Sequence, residues 1–507
     1  MTRHSGGPVL DFLDIDRDSP IPLYHQIYTE LRRGILSGRL AAGTRLPSTR
    51  SIAAELGVSR RPLREAFDHL TAEGLLDARQ GAGTMVRARA DGRLPAAAAA
   101  TTPAGPDDHA MIARLPARGR ALTETTGFDT RSTGAFSPTL PAADQFPRAV
   151  FARLAARHWR MAAPHDFRKA PPAGHAGLRA ALAEYLRTAR GLVCTADQVL
   201  ITAGGTHAIG LLARLLAAPG SRAWTENPGW PTGRQTLAAH QVQPVPLPVD
   251  GEGLVVEAGR RTAPDAALAL VTPSRHYPLG MAMSLGRRLE LLDWAHDQRS
   301  WIVEDDYDSE FQYTTRVLPP LQSLDRHGSV IYMGSLSKVL TQALRIGYLV
   351  VPQALAGPLG RALAHEKVVP TATQAMLARL IETGEFARHV RRMRHLYRRR
   401  QQALVDGLAR RFGDRLPIAT TDSGFHLLAT LPDDPAGWPG GVALDEDETS
   451  RRLAELDIAA PTLGSYLHPG ADRRACRRVL VLGFATLTDD ELARGLDGLA
   501  AVIGGAG

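Results

Sequence analysis

The sequence predicts two unequal domains: a small helical module that ends in a β-hairpin, followed by a large α/β domain. Three observations carry that prediction. The chain has 507 residues, well beyond one ordinary domain. Helical periodicity and closely spaced turn glycines fill residues 19–89, whereas helical and strand-like segments alternate from about Gly127 to the end. Between them the chain runs to Ala, Pro, Gly and Thr, with alanines at 96–100 and prolines at 95, 103, 106 and 116, a composition that suits a linker better than a long helix. The expected divisions are a small domain at 19–89, a linker at 90–126 and a large domain at 127–505.

Composition excludes several classes. Apolar residues make up 44% of the chain, but no apolar run approaches the roughly 20 residues of a membrane span. The first eighteen residues stay polar, so no secretory signal is expected. Cys194 and Cys476 are the only cysteines, too few for a disulfide framework and consistent with a reducing cytoplasm. The net charge of +8 is almost all arginine, because lysine occurs only at Lys169, Lys338 and Lys367. Chemistry that needs an amine nucleophile therefore has three side chains to draw on.

In the small domain, Leu23, Ile27, Leu31 and Ile35 form one apolar stripe at four-residue spacing, a helix that stops at Ser37-Gly38. A second helix starts at Pro47-Ser48, with Ser48 or Thr49 as cap, and buries Ile52, Ala53 and Leu56. Gly57 ends it. Ser59 leads into a third helix with Leu63, Ala66, Phe67 and Leu70 inward. Two short helices across a glycine turn make a helix-turn-helix. The stretches 75–78 and 84–86 then flank Gly81 and Gly83 as a small hairpin, a wing. Residues 19–93 hold twelve arginines against seven acids. Arg50, Arg60, Arg61 and Arg64 fall at the starts of the second and third helices, where guanidinium forks reach base edges and the Ser48 and Ser59 hydroxyls meet phosphates.

The run Pro47-Ser48-Thr49-Arg50, Leu56-Gly57-Val58-Ser59-Arg60, Ala72-Glu73-Gly74 and Gly81-Ala82-Gly83-Thr84 resembles the winged helix-turn-helix of GntR-type regulators over about 70 residues. That resemblance implies that Arg45, Ser48, Arg50, Ser59, Arg60, Arg61 and Arg64 contact double-stranded DNA, with Gly81, Gly83 and Thr84 at the wing tip.

In the large domain, Gly334-Ser335-Leu336-Ser337-Lys338 follows an apolar strand and precedes Leu344-Arg345-Ile346-Gly347. A lysine beside two hydroxyls, seven residues before an arginine, suits a phosphorylated aldehyde: the amine takes the aldehyde, and the hydroxyls and guanidinium hold the phosphate. Trp301-Ile302-Val303-Glu304-Asp305-Asp306-Tyr307 ends another strand, where a carboxylate can face a protonated ring nitrogen and a tyrosine can donate to a ring oxygen. Thr202-Ala203-Gly204-Gly205-Thr206-His207 turns from strand to helix and offers backbone N–H groups to a phosphate.

With Gly174-His175-Ala176-Gly177, Glu226-Asn227-Pro228-Gly229-Trp230 and Thr272-Pro273-Ser274-Arg275-His276-Tyr277-Pro278, these segments resemble the fold-type I, pyridoxal-phosphate-dependent aminotransferases. More narrowly, they resemble the MocR group, which joins such a domain to a GntR-type reader. The resemblance covers nearly the whole chain. It implies that Lys338 binds the aldehyde of pyridoxal 5'-phosphate, Asp305 pairs with the ring nitrogen, Tyr307 faces the ring oxygen and Trp230 stacks on the ring beside Tyr277. It places Gly204, Gly205, Thr206, Ser335, Ser337 and Arg345 around the phosphate. It also implies a homodimer on paired half-sites, with an amine, an amino acid or the cofactor itself as effector.

The sequence departs from the pattern at four points. Trp230 replaces a tyrosine, Thr206-His207 replaces a pair of glutamines and Tyr277 stands at the asparagine of ordinary aminotransferases. Val481 stands where many of them carry the arginine that clamps a substrate carboxylate. The expected function is a cofactor-dependent DNA-binding regulator; the alternative is a working aminotransferase that regulates its own gene. The arginine-rich stretch 388–400 reads as a solvated or salt-bridged helix face, with an auxiliary DNA-backbone contact as the alternative. Its histidines lack metal-ligand company, and no metal is expected.

Overall fold

The computed structural model describes residues 13–79 apart from 14 and 18, then 83–87, 114, 116, 134–167, 171–313, 319–366, 369–431, 446–472, 476 and 478–504. Contacts divide the chain between Arg114 and Leu115, so the two units are described separately.

The first unit contains α1 (Leu23–Leu36), α2 (Thr49–Glu55) and α3 (Arg60–Ala72), then β1 (Leu76–Arg79) paired antiparallel with β2 (Gly83–Val86). The helix stripes meet in one core, in which Ile27, Leu31, Leu63, Ala66 and Leu70 are sealed from solvent. Ser48 caps α2 by accepting the Ser51 N–H at 3.1 Å. Thr49–Glu55 is only seven residues long, because Gly57 takes a left-handed turn just after the cap residue Leu56. Residues 80–82, with the wing glycine Gly81, lie outside the described residues.

The second unit is built on an eight-stranded sheet with the order β3-β10-β9-β8-β7-β4-β5-β6. The strands are β3 (Val199–Thr202), β4 (Arg222–Asn227), β5 (Gln243–Asp250), β6 (Gly253–Leu254), β7 (Leu268–Val271), β8 (Trp301–Asp306), β9 (Val330–Ser335) and β10 (Gly347–Val350). Strands β5, β4, β7, β8 and β9 are parallel neighbours, and β10 runs against both β9 and β3. Strand β3 therefore points the same way as β9. Helices cover both faces, which is why β3, β7 and β10 are apolar without alternation and buried throughout. The consequence for function is positional: β3, β4, β7, β8 and β9 all end on one edge, where an open α/β sheet binds ligands.

A second, antiparallel sheet of β11 (Ile418–Ala419), β12 (His426–Thr430) and β13 (Val479–Gly483) packs with the helices Glu385–Phe412 and Asp489–Ile503. The arginine-rich face of the first of these helices divides in two. Arg400 pairs with Asp144 at 3.1 Å, Arg394 donates to the Glu310 carbonyl, Arg392 to that of Gln145 and Arg388 pairs with Glu385, while His389 is buried on the Val339 carbonyl. Arg391, Arg398 and Arg399 remain exposed. Arg392, Arg394, Arg400 and His389 therefore brace the helix against the rest of the unit.

Candidate functional site

The strand-end edge gathers the residues of the predicted cofactor site. Asp305 and Trp230 line one cleft of about 290 Å³, open space at its mouth included, together with Thr225, Glu226, Arg234, Leu270 and Thr272. Strand alternation selects Asp305 from its neighbours. Glu304 faces the other way, accepting the backbone N–H groups of Leu321 and Gln322. Asp306 also lies on the reverse face, paired with the buried Arg190 at 2.5 Å and accepting from the Tyr332 hydroxyl at 2.6 Å.

Lys338 lies on the short helix Leu336–Val339 directly after β9, where its ammonium donates to the Thr139 carbonyl at 2.9 Å. Burial pushes its pKa down to about 8, against the pull of the Asp305 and Asp308 carboxylates. Burial likewise pushes the Asp305 carboxyl up to about 8, with the Lys338 charge opposing. Asp305 is thus a half-buried carboxyl with one nearby cation to stabilise its charge. A protonated ring nitrogen would supply a second.

The turn from β3 into the helix Gly205–Leu216 needs Gly204, whose φ of +94° lies in the region glycine favours. Gly205 stands against the indole: a Cβ there would lie 3.1 Å from Trp230. Gly347 packs on Gly204 in the same way, so the chain just after Arg345 lies beside this turn. The first N–H groups of that helix, the Ser335 hydroxyl and the exposed Arg345 and Thr206 have no acceptor or carboxylate partner among the described residues, which fits them to a phosphate. His207 is engaged differently, since its Nδ1 accepts from the Ala203 N–H at 3.0 Å and its Nε2 meets Glu366. Ser337 is also engaged elsewhere, accepting from the Ile346 N–H at 2.9 Å and donating to its carbonyl at 3.2 Å. That hydroxyl fixes the lysine turn to β10.

Tyr277 and Tyr307 meet edge-on with centroids 5.5 Å apart, and Tyr277 donates to Tyr466 at 3.1 Å. Val481 is fully buried with Tyr277, Leu463 and Tyr466, so an apolar wall stands at the carboxylate-clamp position. Arg478 immediately precedes β13 and is not on it.

Sequence reasoning left out four neighbours. Glu226 is buried, accepts from the Thr272 N–H and hydroxyl at 3.1 and 2.6 Å, and is pushed up to about 7 by burial. Arg234 donates to the Tyr466 and Leu467 carbonyls at 2.9 and 2.8 Å. His468 bonds Thr225 at 2.9 Å, and Arg275 sits behind Tyr307. Glu226 lies at the end of β4, and Arg234 and Arg275 lie on segments that follow β4 and β7, the one signal that could have singled them out; His468 follows the short helical turn Leu463–Tyr466 and carries no such signal.

In the first unit, Arg45, Arg50, Arg60, Arg61 and Arg64 are all exposed, and none pairs with a carboxylate among the described residues. The Ser59 hydroxyl makes no capping bond at the start of α3 and is left for another acceptor. The Arg45 guanidinium lies against Gly83, whose Cβ would come within 3.0 Å of it, and Thr84 is half-buried beside it. The two helix starts and the base of the wing thus carry cations with no carboxylate partner among the described residues.

The Lys338–Asp305 pair makes a pH prediction. Lysine captures an aldehyde as the neutral amine, so capture of added pyridoxal phosphate by cofactor-free protein should speed up as pH rises through about 8. Asp305→Asn removes a charge that stabilises the ammonium, so the midpoint of that profile should fall. Stopped-flow absorbance reads both, and a midpoint unmoved by Asp305→Asn would separate the two residues.

Comparison with known proteins identifies the two domains. Residues 23–86 match the model of the bacterial regulatory proteins of the gntR family, and residues 141–499 match that of aminotransferase class I and II. A probable rhizopine catabolism regulatory protein, MocR, of Rhizobium meliloti is 39% identical over 96% of this chain and 95% of its own length. The pyridoxine biosynthesis regulator PdxR of Corynebacterium glutamicum is 32% identical over 82% of this chain and 85% of its own. Among solved structures, the α-aminoadipate aminotransferase LysN of Thermus thermophilus aligns with a TM-score of 0.63 at 25% identity, covering 78% of this chain and 96% of that one. A multiple substrate aminotransferase of Thermococcus profundus aligns at 0.66 and 21% identity, over 78% and 98% of the two chains. Both of these relatives are named as regulators, which favours the regulatory reading over a working aminotransferase. The chain belongs to the MocR-type transcriptional regulators of the GntR family, with a winged helix-turn-helix reader joined to a fold-type I aminotransferase-like domain.

Proposed function

We propose that this regulator binds an operator through residues 19–89 and carries pyridoxal phosphate at Lys338 as its sensing group. The observation that carries the reading is the half-buried pair of Lys338 and Asp305, held on one strand-end edge with Trp230 and the Gly204 turn. Bound there, pyridoxal phosphate supplies an aldehyde that takes primary amines. The chain's own residues do the rest: Asp305 stabilises the ring nitrogen's proton, Trp230 covers the ring, and the N–H groups of the Gly205 helix, Ser335 and Arg345 hold the phosphate. The buried Val481 wall favours sensing over transamination, because turnover of an amino acid needs its carboxylate held. The regulator acts as a homodimer on paired half-sites, and its effector is the cofactor itself or an amine it captures. Coupling the two domains requires a ligand preference of about 1–3 kcal/mol between arrangements of the protein.

The test is fluorescence anisotropy with the DNA upstream of the protein's own gene, at fixed salt, comparing cofactor-free and cofactor-loaded protein. A difference in affinity of about five-fold or more between the two forms is expected. Equal affinities would move the sensing role to captured amines, and absence of specific binding by either form would overturn the operator reading.

A further inference from the structure

The most heavily engaged buried cation in the large domain is Arg275, for which the cofactor site as described has no use. It lies on the segment after β7, and its side chain is 2% exposed. Its Nη1 donates to the Tyr307 hydroxyl oxygen at 2.8 Å and pairs with Asp308 at 3.1 Å. Its Nη2 donates to the Thr421 hydroxyl at 3.3 Å and to the His426 carbonyl at 3.1 Å, on the segment that leads into β12. The four Nη hydrogens thus all have acceptors, and the plane of the guanidinium is fixed. The surrounding chain is shaped for it: a Cβ at Gly424 would lie 2.4 Å from its Cζ, a clash that only glycine avoids.

This arrangement bears on one hydrogen. A phenol donates one hydrogen, and the Tyr307 oxygen already accepts from Arg275. The hydrogen has two possible destinations: the adjacent Asp308 carboxylate, whose charged form the Tyr307 hydroxyl helps to stabilise, or a ring oxygen of a bound cofactor. Arg275 engages Asp308, which weakens that carboxylate as an acceptor. We propose that Arg275 is a positioning residue that turns the Tyr307 O–H towards the cofactor's ring oxygen, by donating to the phenol oxygen and by occupying Asp308. The proposal rests on the reading that Tyr307 faces that oxygen.

The other groups around Tyr307 do not compete for this role. Tyr277 presents a ring edge at 5.5 Å and gives its own hydrogen to Tyr466. His426 is held neutral by burial and the Arg275 charge, and its Nε2 donates to the Pro278 carbonyl at 2.8 Å. Tyr313 lies near enough to interact with Arg275 but gives its hydrogen to the Gly424 carbonyl at 2.6 Å. Asp308 is raised to about 6 by burial, with Arg275 as the first influence that opposes the rise. Lys338 and Asp305 belong to the cofactor itself.

The experiment uses full-length protein loaded with pyridoxal phosphate, and it follows the visible absorption of the bound cofactor as a function of pH. A donor to the ring oxygen draws off negative charge that otherwise holds the proton shared with the lysine nitrogen. Loss of that donor should therefore raise the midpoint, by about one pH unit for a hydrogen bond to a charged group. Arg275→Gln and Tyr307→Phe should each raise it, and Arg275→Gln should add nothing in the Tyr307→Phe background. Arg275→Lys should recover part of the shift. Because Arg275→Gln leaves a buried carboxylate alone, the pair Arg275→Gln with Asp308→Asn is made as well. With the competing carboxylate replaced by the weaker, neutral acceptor of an amide, its midpoint should return towards that of the wild type. A midpoint unchanged by Arg275→Gln, or shifted equally with and without Tyr307, overturns the role of Arg275 while Tyr307 keeps its place. A midpoint unchanged by Tyr307→Phe overturns both the proposal and the placement of Tyr307.

Discussion

Lys338→Ala is expected to abolish the visible absorption band that wild-type protein develops with pyridoxal phosphate, and with it any cofactor-dependent change in DNA affinity. The turn that follows β9 carries no second lysine. Lys169 and Lys367 are the only others in the chain; both lie outside the described residues, and neither belongs to the strand-end turn that carries Lys338. The variant should fold, because the ammonium makes one hydrogen bond, to Thr139, and alanine suits the short helix it occupies. Removing a half-buried amine with a lowered pKa also removes an electrostatic cost. Thermal denaturation of the cofactor-free forms should accordingly differ little, whereas added cofactor should raise the Tm of the wild type by mass action and leave the variant unmoved. A band of undiminished intensity in Lys338→Ala would sink the assignment.

Arg60→Ala and Arg64→Ala are expected to weaken operator binding by about 1–3 kcal/mol each if they read bases, about five- to 150-fold, and to relax sequence preference at the base each contacts. If either meets phosphate instead, its loss should weaken all sequences alike and lower the slope of log affinity against log salt by about one. Both side chains are exposed at the start of α3, so the substitutions cost the core nothing: Leu63, Ala66, Phe67 and Leu70 are the residues of that helix turned inward. Measuring affinity at three salt concentrations, on operator and on scrambled DNA, separates the two roles for each arginine. Unchanged affinity in both variants would remove α3 from the DNA interface.

The small domain was almost fully legible in the sequence. Its helices are amphipathic at four-residue spacing, its turns carry glycine and Ser48 caps α2, so local chemistry and buried face agree. The ends moved by a residue or two, as with α2, where the left-handed turn at Gly57 cut the helix to seven residues. In the large domain the strand that carries Lys338 and the strand that carries Asp305 were legible as apolar runs with polar ends. The choice among Glu304, Asp305 and Asp306 rested on resemblance, and the structure shows the alternation that separates them.

Other roles were not legible at all. Ser337 and His207 stand at positions that look suited to a phosphate, yet each hydrogen-bonds neighbouring backbone. A hydroxyl beside a lysine reads the same in sequence whether it faces a ligand or the next strand. Arg275 is one of 57 arginines, and its partners Thr421 and His426 are about 150 residues away along the chain.

Local sequence was enough to set the two-domain plan, the reader helices with their cation-bearing starts, and the identity of the one amine at a strand end. These rest on periodicity, turn residues and composition, all of which act among near neighbours in the chain. It took the folded molecule to settle which strand-end side chains share a cleft, which hydroxyls are already bonded, and that Arg275 stands behind Tyr307. Those facts depend on strand order, in which β8 lies between β9 and β7, and on the way the start of β12 and the segment before it fold back against the Arg275 loop. Register and crossover connections bring distant residues within hydrogen-bond reach of each other, and no local pattern in the chain encodes that approach.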